Sequence, residues 1–185
     1  EDLKLRGSDV LRTLQRLSPE QKPFAVIATA GSTNLGIVDE IHSIAEVAKE
    51  NDLWFHIDGA YGGAGVVAPS VRELYRGIEH ADSFIVDPHK WLFAPFDACA
   101  LIYRDPADAK KAHQQHASYL DTLDDKSEWN PSDLAVHLTR RPRGLPFWFS
   151  LASHGSLAYE QSVERTLASA KVAARMIKAD PRLEL

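Results

Sequence analysis

Apolar residues fall into two rhythms along this chain. In one, Val10, Leu11, Leu14 and Leu17 recur at three- and four-residue steps, the spacing that gathers side chains on one side of a helix. Ser8 is a residue type that caps such a start, and the helix is expected to end before Pro19. The same rhythm returns in Ile41, Ile44, Ala45, Val47 and Ala48, with Asp39 as the expected cap and Asn51 and Asp52 as the stop. In the other rhythm, apolar residues run without alternation over 24–30, 53–58, 83–87 and 98–103. Strands covered on both faces read this way. A short helix is expected around residues 71–75.

Strand, helix, strand, helix, strand in this order predicts an α/β fold with a mainly parallel sheet. Ligands in such sheets sit beyond the carboxyl ends of the strands. Three segments fall at those ends: 31–33, 58–61 and 87–90. From 113 to 143 the chain is polar with weak periodicity, which reads as a long loop of the kind that serves function. After Pro146 a long helical pattern begins with Trp148, Leu151, Ala152 and Leu157. The expected division is therefore a large domain over 1–145 and the start of a small C-terminal domain over 146–185. The opening Glu1 and the final Ala-Asp-Pro-Arg-Leu-Glu-Leu both read as cut from something longer.

Composition narrows the classes. Lys and Arg number 21 against 26 Asp and Glu, a formal charge of −5 with no basic block, so nothing favours nucleic acid or an anionic membrane. No apolar stretch approaches the roughly 20 residues of a membrane span. A single cysteine, Cys99, excludes an internal disulfide and fits a reducing compartment; within an apolar run it reads as a small core residue. A cytoplasmic α/β protein is the expectation.

Candidate chemistry lies at the strand ends. In His-Ile-Asp-Gly-Ala-Tyr, strand alternation points His56, Asp58 and Ala60 the same way. A carboxylate followed by small residues leaves room for a flat ligand, and an aspartate beside a pyridine nitrogen keeps that ring protonated and electron-accepting. Asp58 taken alone also reads as a turn cap. In Asp-Pro-His-Lys-Trp, Lys90 follows an apolar strand and a proline turn, where burial would lower an amine's pKa and make it a nucleophile. Lys90 taken alone also reads as a surface lysine, and His89 as a structural histidine. His113 and His116 could share a helix face, yet too few ligands accompany them for a metal. The glycine-rich stretch 59–65 lacks the placement of a dinucleotide fingerprint.

Taken together, these segments resemble the pyridoxal-dependent amino-acid decarboxylases, which include the aromatic-L-amino-acid, histidine and glutamate enzymes. Ala-Asp-Ser-Phe followed by Pro-His-Lys-Trp-Leu carries the likeness, as do Ala-Thr-Ala-Gly-Ser-Thr upstream and Arg-Arg-Pro-Arg-Gly-Leu-Pro-Phe-Trp downstream. The resemblance implies a fold-type I large domain that binds pyridoxal 5'-phosphate. It implies that Lys90 carries the cofactor covalently, that Asp58 pairs with the pyridine nitrogen, and that Ala60 lies against the ring. It places His89 near the phosphate, Thr33 beside the ring or Asp58, and His56 among the cofactor-binding residues. Tyr119 matches a loop tyrosine that returns a proton after CO2 leaves. An L-amino acid, aromatic first, is the implied substrate, and a homodimer the implied assembly.

The same resemblance leaves an aldehyde-forming oxidative deamination open, and a non-catalytic module keeping the fold is a third reading. It also places further cofactor and substrate contacts before Glu1, so the chain alone is expected to be inactive. Asp87 departs from the family's usual asparagine: a carboxylate there would repel a phosphate unless it is turned away or paired with a cation.

Overall fold

The structure is a computed structural model and describes residues 2–113 and 131–185. Helix α1 (Gly7–Leu14) precedes strand β1 (Ala25–Thr29), helix α2 (Ile41–Glu50) and strand β2 (Trp54–Asp58). Strands β3 (Ser83–Val86) and β4 (Ala100–Tyr103) follow, then helix α3 (Pro106–His113) and the long α4 (Gly144–Ala179). The sheet runs in the order β1-β2-β3-β4. β1, β2 and β3 are mutually parallel, and β4 returns antiparallel along β3. The parallel part is what the unalternated runs predicted. The link over 87–99 forms turns and bends but no helix to carry the chain across a sheet face, and β4 folds back along β3.

Two of the expected caps are corrected. Ser8 lies inside α1, whose N-cap is Arg6; the Arg6 N–H donates to the Asp9 carboxylate at 3.1 Å. Glu40, not Asp39, precedes α2. The Asp39 carboxylate instead accepts from the N–H groups of Leu5 and Thr29, at 2.9 and 2.7 Å. It thus ties the N-terminal segment to the outer edge of β1. α1 also stops short of Leu17, and Leu11 is exposed while Val10 is buried.

Phe55 and Ile57 of β2 point into a core with Ala28, Ile41, Ile44 and Ala48, which seats α2 on one face of the sheet. Phe55 is 2% exposed and Ile57 fully covered. The opposite face carries Ile27, Trp54, His56 and Asp58, and there Ile27 is 59% exposed. This more open face holds the chemistry.

The helical pattern after Pro146 is α4, which starts slightly earlier, at Gly144. Pro146 fits in its first turn because the missing N–H would have had no intrahelical partner there. Gly155 has φ 77° and ψ 160°, so α4 is two helices joined at a break. The second of them reaches back to the sheet domain: Glu164 accepts from the N–H and hydroxyl of Ser70 at 2.9 and 2.7 Å. Among the described residues, no helix is long and apolar enough to cross a membrane.

Candidate active site

Three turns meet at the carboxyl edge of the parallel strands. Thr29 stands beside Asp58, and Asp58 beside Ile85. The ladder continues past the strand ends: the N–H of Ala30 donates to the Asp58 carbonyl at 2.7 Å, that of Gly59 to Ile85 at 3.0 Å, and that of Asp87 to Ala60 at 3.1 Å. Backbone hydrogen bonds therefore hold the Asp58 turn against the turn that leads to Lys90. Gly59 is required for this closeness. A Cβ there would stand 2.5 Å from the Phe84 ring and 2.9 Å from the Ile85 oxygen.

The first turn, after β1, is locked by Ser32. Its hydroxyl accepts from the Ile37 N–H at 3.2 Å, while the N–H groups of Gly31 and Ser32 both donate to the Ile37 carbonyl. Gly31 sits at φ +94° with Gly62 packed against it; a Cβ would lie 2.6 Å from the Gly62 Cα. Thr33 is on the exposed tip of this turn and makes no side-chain hydrogen bond among the described residues. The structure brings its turn to the same edge but not its hydroxyl to Asp58.

Asp58 is exposed, and its carboxylate accepts only the Ala60 N–H, at 3.0 Å, among the described residues. His56, two residues earlier on the same face, is half-buried. Burial pushes its pKa below the ordinary histidine value, against the opposing pull of the Asp58 charge and the Ser83 backbone. Lys90 is less buried than the sequence suggested: its side chain is 38% exposed and its Nζ lies 2.8 Å from Asp87 Oδ2. The departure at position 87 thus meets the cation that a carboxylate needs there.

His89 turns its Nδ1 to the Ala98 backbone, 2.5 Å from the carbonyl oxygen, and its ring stands edge-on to Phe96. It pins the two ends of the 89–98 loop together and has no Nε2 partner among the described residues. Trp91 stacks on Tyr61 and donates from Nε1 to Thr166 at 2.8 Å, linking the lysine turn to α4. A cavity of about 320 Å3 opens between Gly31, Tyr61, Trp91 and Leu167.

Cys99 is corrected: it is exposed and lies just before β4 rather than in the core. Partial shielding and the neighbouring Asp87 push its thiol up to about 11. Tyr119 and His116 lie outside the described residues. His113 meets the Tyr103 hydroxyl at 3.1 Å, and no metal-binding group of three or more His, Cys, Asp or Glu occurs among the described residues. A larger cleft of about 830 Å3 lies at the opposite edge of the sheet, between Phe24, Trp54, Asp82 and Arg104. It is remote from the turns that gather the acid and the amine.

Sequence reasoning missed Ser83, the buried hydroxyl beneath His56, and the Ser32 lock. The only signal for either was a serine where an apolar or turn residue would also have served.

An open parallel sheet with an acid and an amine at adjacent strand exits defines a fold-type I site. The chain belongs to the pyridoxal-dependent decarboxylase family, whose conserved-domain model matches residues 1–185. It is 34% identical over 146 residues to an aromatic-L-amino-acid decarboxylase of Bacillus atrophaeus, covering 78% of this chain and 30% of that protein. It is 37% identical over 160 residues to the Homo sapiens acidic amino acid decarboxylase GADL1, covering 84% and 30%. A crystal structure of Oryza sativa TDC with PLP and tryptamine superposes with a TM-score of 0.92 at 29% identity, over 100% of this chain and 38% of that one. The chain thus spans about a third of the length of these relatives.

Proposed function

We propose that this chain carries the cofactor-binding centre of an enzyme that decarboxylates an L-amino acid to its amine and CO2, with pyridoxal phosphate as cofactor and aromatic amino acids as the leading substrate class. One observation carries the reading: the backbone bonds Gly59–Ile85 and Asp87–Ala60 hold an exposed carboxylate and an accessible amine on neighbouring strand exits. The residues present fit the group, since Gly59 and Ala60 leave no bulky side chain beside Asp58 and both functional groups reach solvent. Likeness to decarboxylases of aromatic and of acidic amino acids supports the reaction, and the relative solved with tryptamine supports the aromatic choice.

Pyridoxal phosphate supplies, when bound, a protonated pyridine ring that can accept the electron pair left by a departing carboxylate. Lys90 is the amine that would hold it. Asp58 would keep the proton on the ring nitrogen. Thr33 and His89 stand at the same edge, available to its substituents. Tyr119 is assigned the return of a proton to the substrate Cα, so that one proton replaces one CO2. Residues 1–145 are assigned to the cofactor-binding domain and 146–185 to the start of a second domain, in a homodimer of the cytoplasm.

The purified full-length protein that contains this chain should show the visible absorption of protein-bound pyridoxal phosphate, bleached by borohydride. Lys90→Ala should lose both the band and turnover while keeping its circular dichroism. A Lys90→Ala variant that retains the band would overturn the assignment. Offered aromatic and acidic amino acids, the protein should release CO2 with amine, not aldehyde, as the organic product.

A further inference from the structure

Behind the exposed acid lies a polar relay that the proposed chemistry leaves unexplained. Ser83, 5% exposed, receives two side chains from β2: the Trp54 indole N–H at 2.9 Å and His56 Nδ1 at 2.8 Å. An indole nitrogen can only donate, so the Ser83 oxygen accepts from Trp54. The hydroxyl's one hydrogen then needs an acceptor, and no other side chain partners it among the described residues. A buried hydroxyl hydrogen left without an acceptor loses its hydration with nothing in return. The hydrogen therefore goes to Nδ1, which must be the unprotonated nitrogen. Nε2 is left as the bearer of the imidazole proton, on the sheet face that Asp58 shares.

We infer that Trp54 and Ser83 are positioning residues that fix His56 as the neutral Nε2–H tautomer, so that the Asp58 charge stays free for a cationic ring nitrogen. The inference rests on the proposed role of Asp58. Its physical content is competition: an imidazolium two residues along the same face would take the carboxylate for itself. On the same face His56 meets Ile27 of β1 and Ser83 of β3, with Tyr103 of β4 beyond, and Asp58 is the only ionised group facing it from these strands. The Asp58 charge and the Ser83 backbone favour an imidazolium, but burial opposes it more strongly and works with the Ser83 hydroxyl to keep the ring neutral.

The test is nitrogen NMR on cofactor-free protein labelled with 15N-histidine, with the His56 signal identified by its loss in His56→Gln. At pH 7 the intact protein should show one unprotonated nitrogen, Nδ1, and one protonated nitrogen, Nε2. Ser83→Ala should give a mixture of tautomers titrating at higher pH. Trp54→Phe, which keeps the ring and removes only the N–H, should shift the tautomer balance in the same sense. Both variants should bind pyridoxal phosphate severalfold more weakly in a fluorescence titration. An imidazolium or an Nδ1–H form in the intact protein would overturn the inference, as would variants with unchanged tautomer and cofactor affinity. The nitrogen shifts are read without cofactor, so absence of a cofactor band would sink the decarboxylase reading and leave them as they are.

Discussion

The ion pair between Lys90 and Asp87 occupies the amine on which the proposed chemistry depends. At 38% exposure of the lysine it is a weak pair, worth no more than about 1 kcal/mol. It is nonetheless a pair that must open before the amine can attack an aldehyde. Asp87→Asn should speed capture of pyridoxal phosphate, by up to about fivefold if the whole pair energy is released. Stopped-flow absorbance measures it, and pyridoxal without its phosphate separates the two causes. An equal gain with both aldehydes locates the effect at the amine, and a gain with the phosphate alone locates it in charge repulsion. His56 carries a pH prediction. Its folded pKa lies below the unfolded value, so the unfolded chain binds the extra proton and stability falls as pH drops through the ordinary histidine value of about 6.5. Denaturant midpoints at pH 7.5 and 5.5 should differ, and the difference should shrink in His56→Gln.

At the scale of elements, α2 and β2 form the foundation and the three turns form the site. Phe55 joins the two: its side chain is in the core, and its backbone exchanges hydrogen bonds with Asp82, donating at 2.7 Å and accepting at 2.8 Å. Phe55→Ala should cost about 3–5 kcal/mol in urea unfolding. Gly31→Ala tests the first turn separately. Its backbone lies in the left-handed region and a Cβ would meet Gly62, so the conformational strain alone should cost about 1–3 kcal/mol, with further loss from the contact. Of these elements the four strands and α2 were legible from uninterrupted apolar runs and helical spacing. The caps were not, because Asp39 and Ser8 have residue types suited to capping but tertiary neighbours that outbid the helix. Asp39 is drawn to the edge of β1, and Ser8 is carried inside a helix whose N-cap N–H, that of Arg6, is met by Asp9 and whose first N–H, that of Gly7, is met by Ser43.

Across the whole molecule, α4 is tied to the sheet domain beside the lysine turn, through Trp91 with Thr166 and Ser70 with Glu164. Trp91→Phe keeps a ring to stack on Tyr61 but removes the bond to Thr166. Amide exchange over residues 160–170 should quicken while the sheet stays protected, and equal exchange would show that this bond does not fasten α4. The sequence by itself determined the α/β class, the parallel strands and the family, because apolar period, strand length and the neighbours of Asp58 and Lys90 are local properties of the chain. Only the tertiary structure decided that Lys90 meets Asp87 half in solvent, that β4 runs antiparallel, and that Trp54 and Ser83 converge on His56. Each of these depends on which residues of separate strands stand opposite one another, and register is set by the packing of a whole sheet face rather than by any one segment.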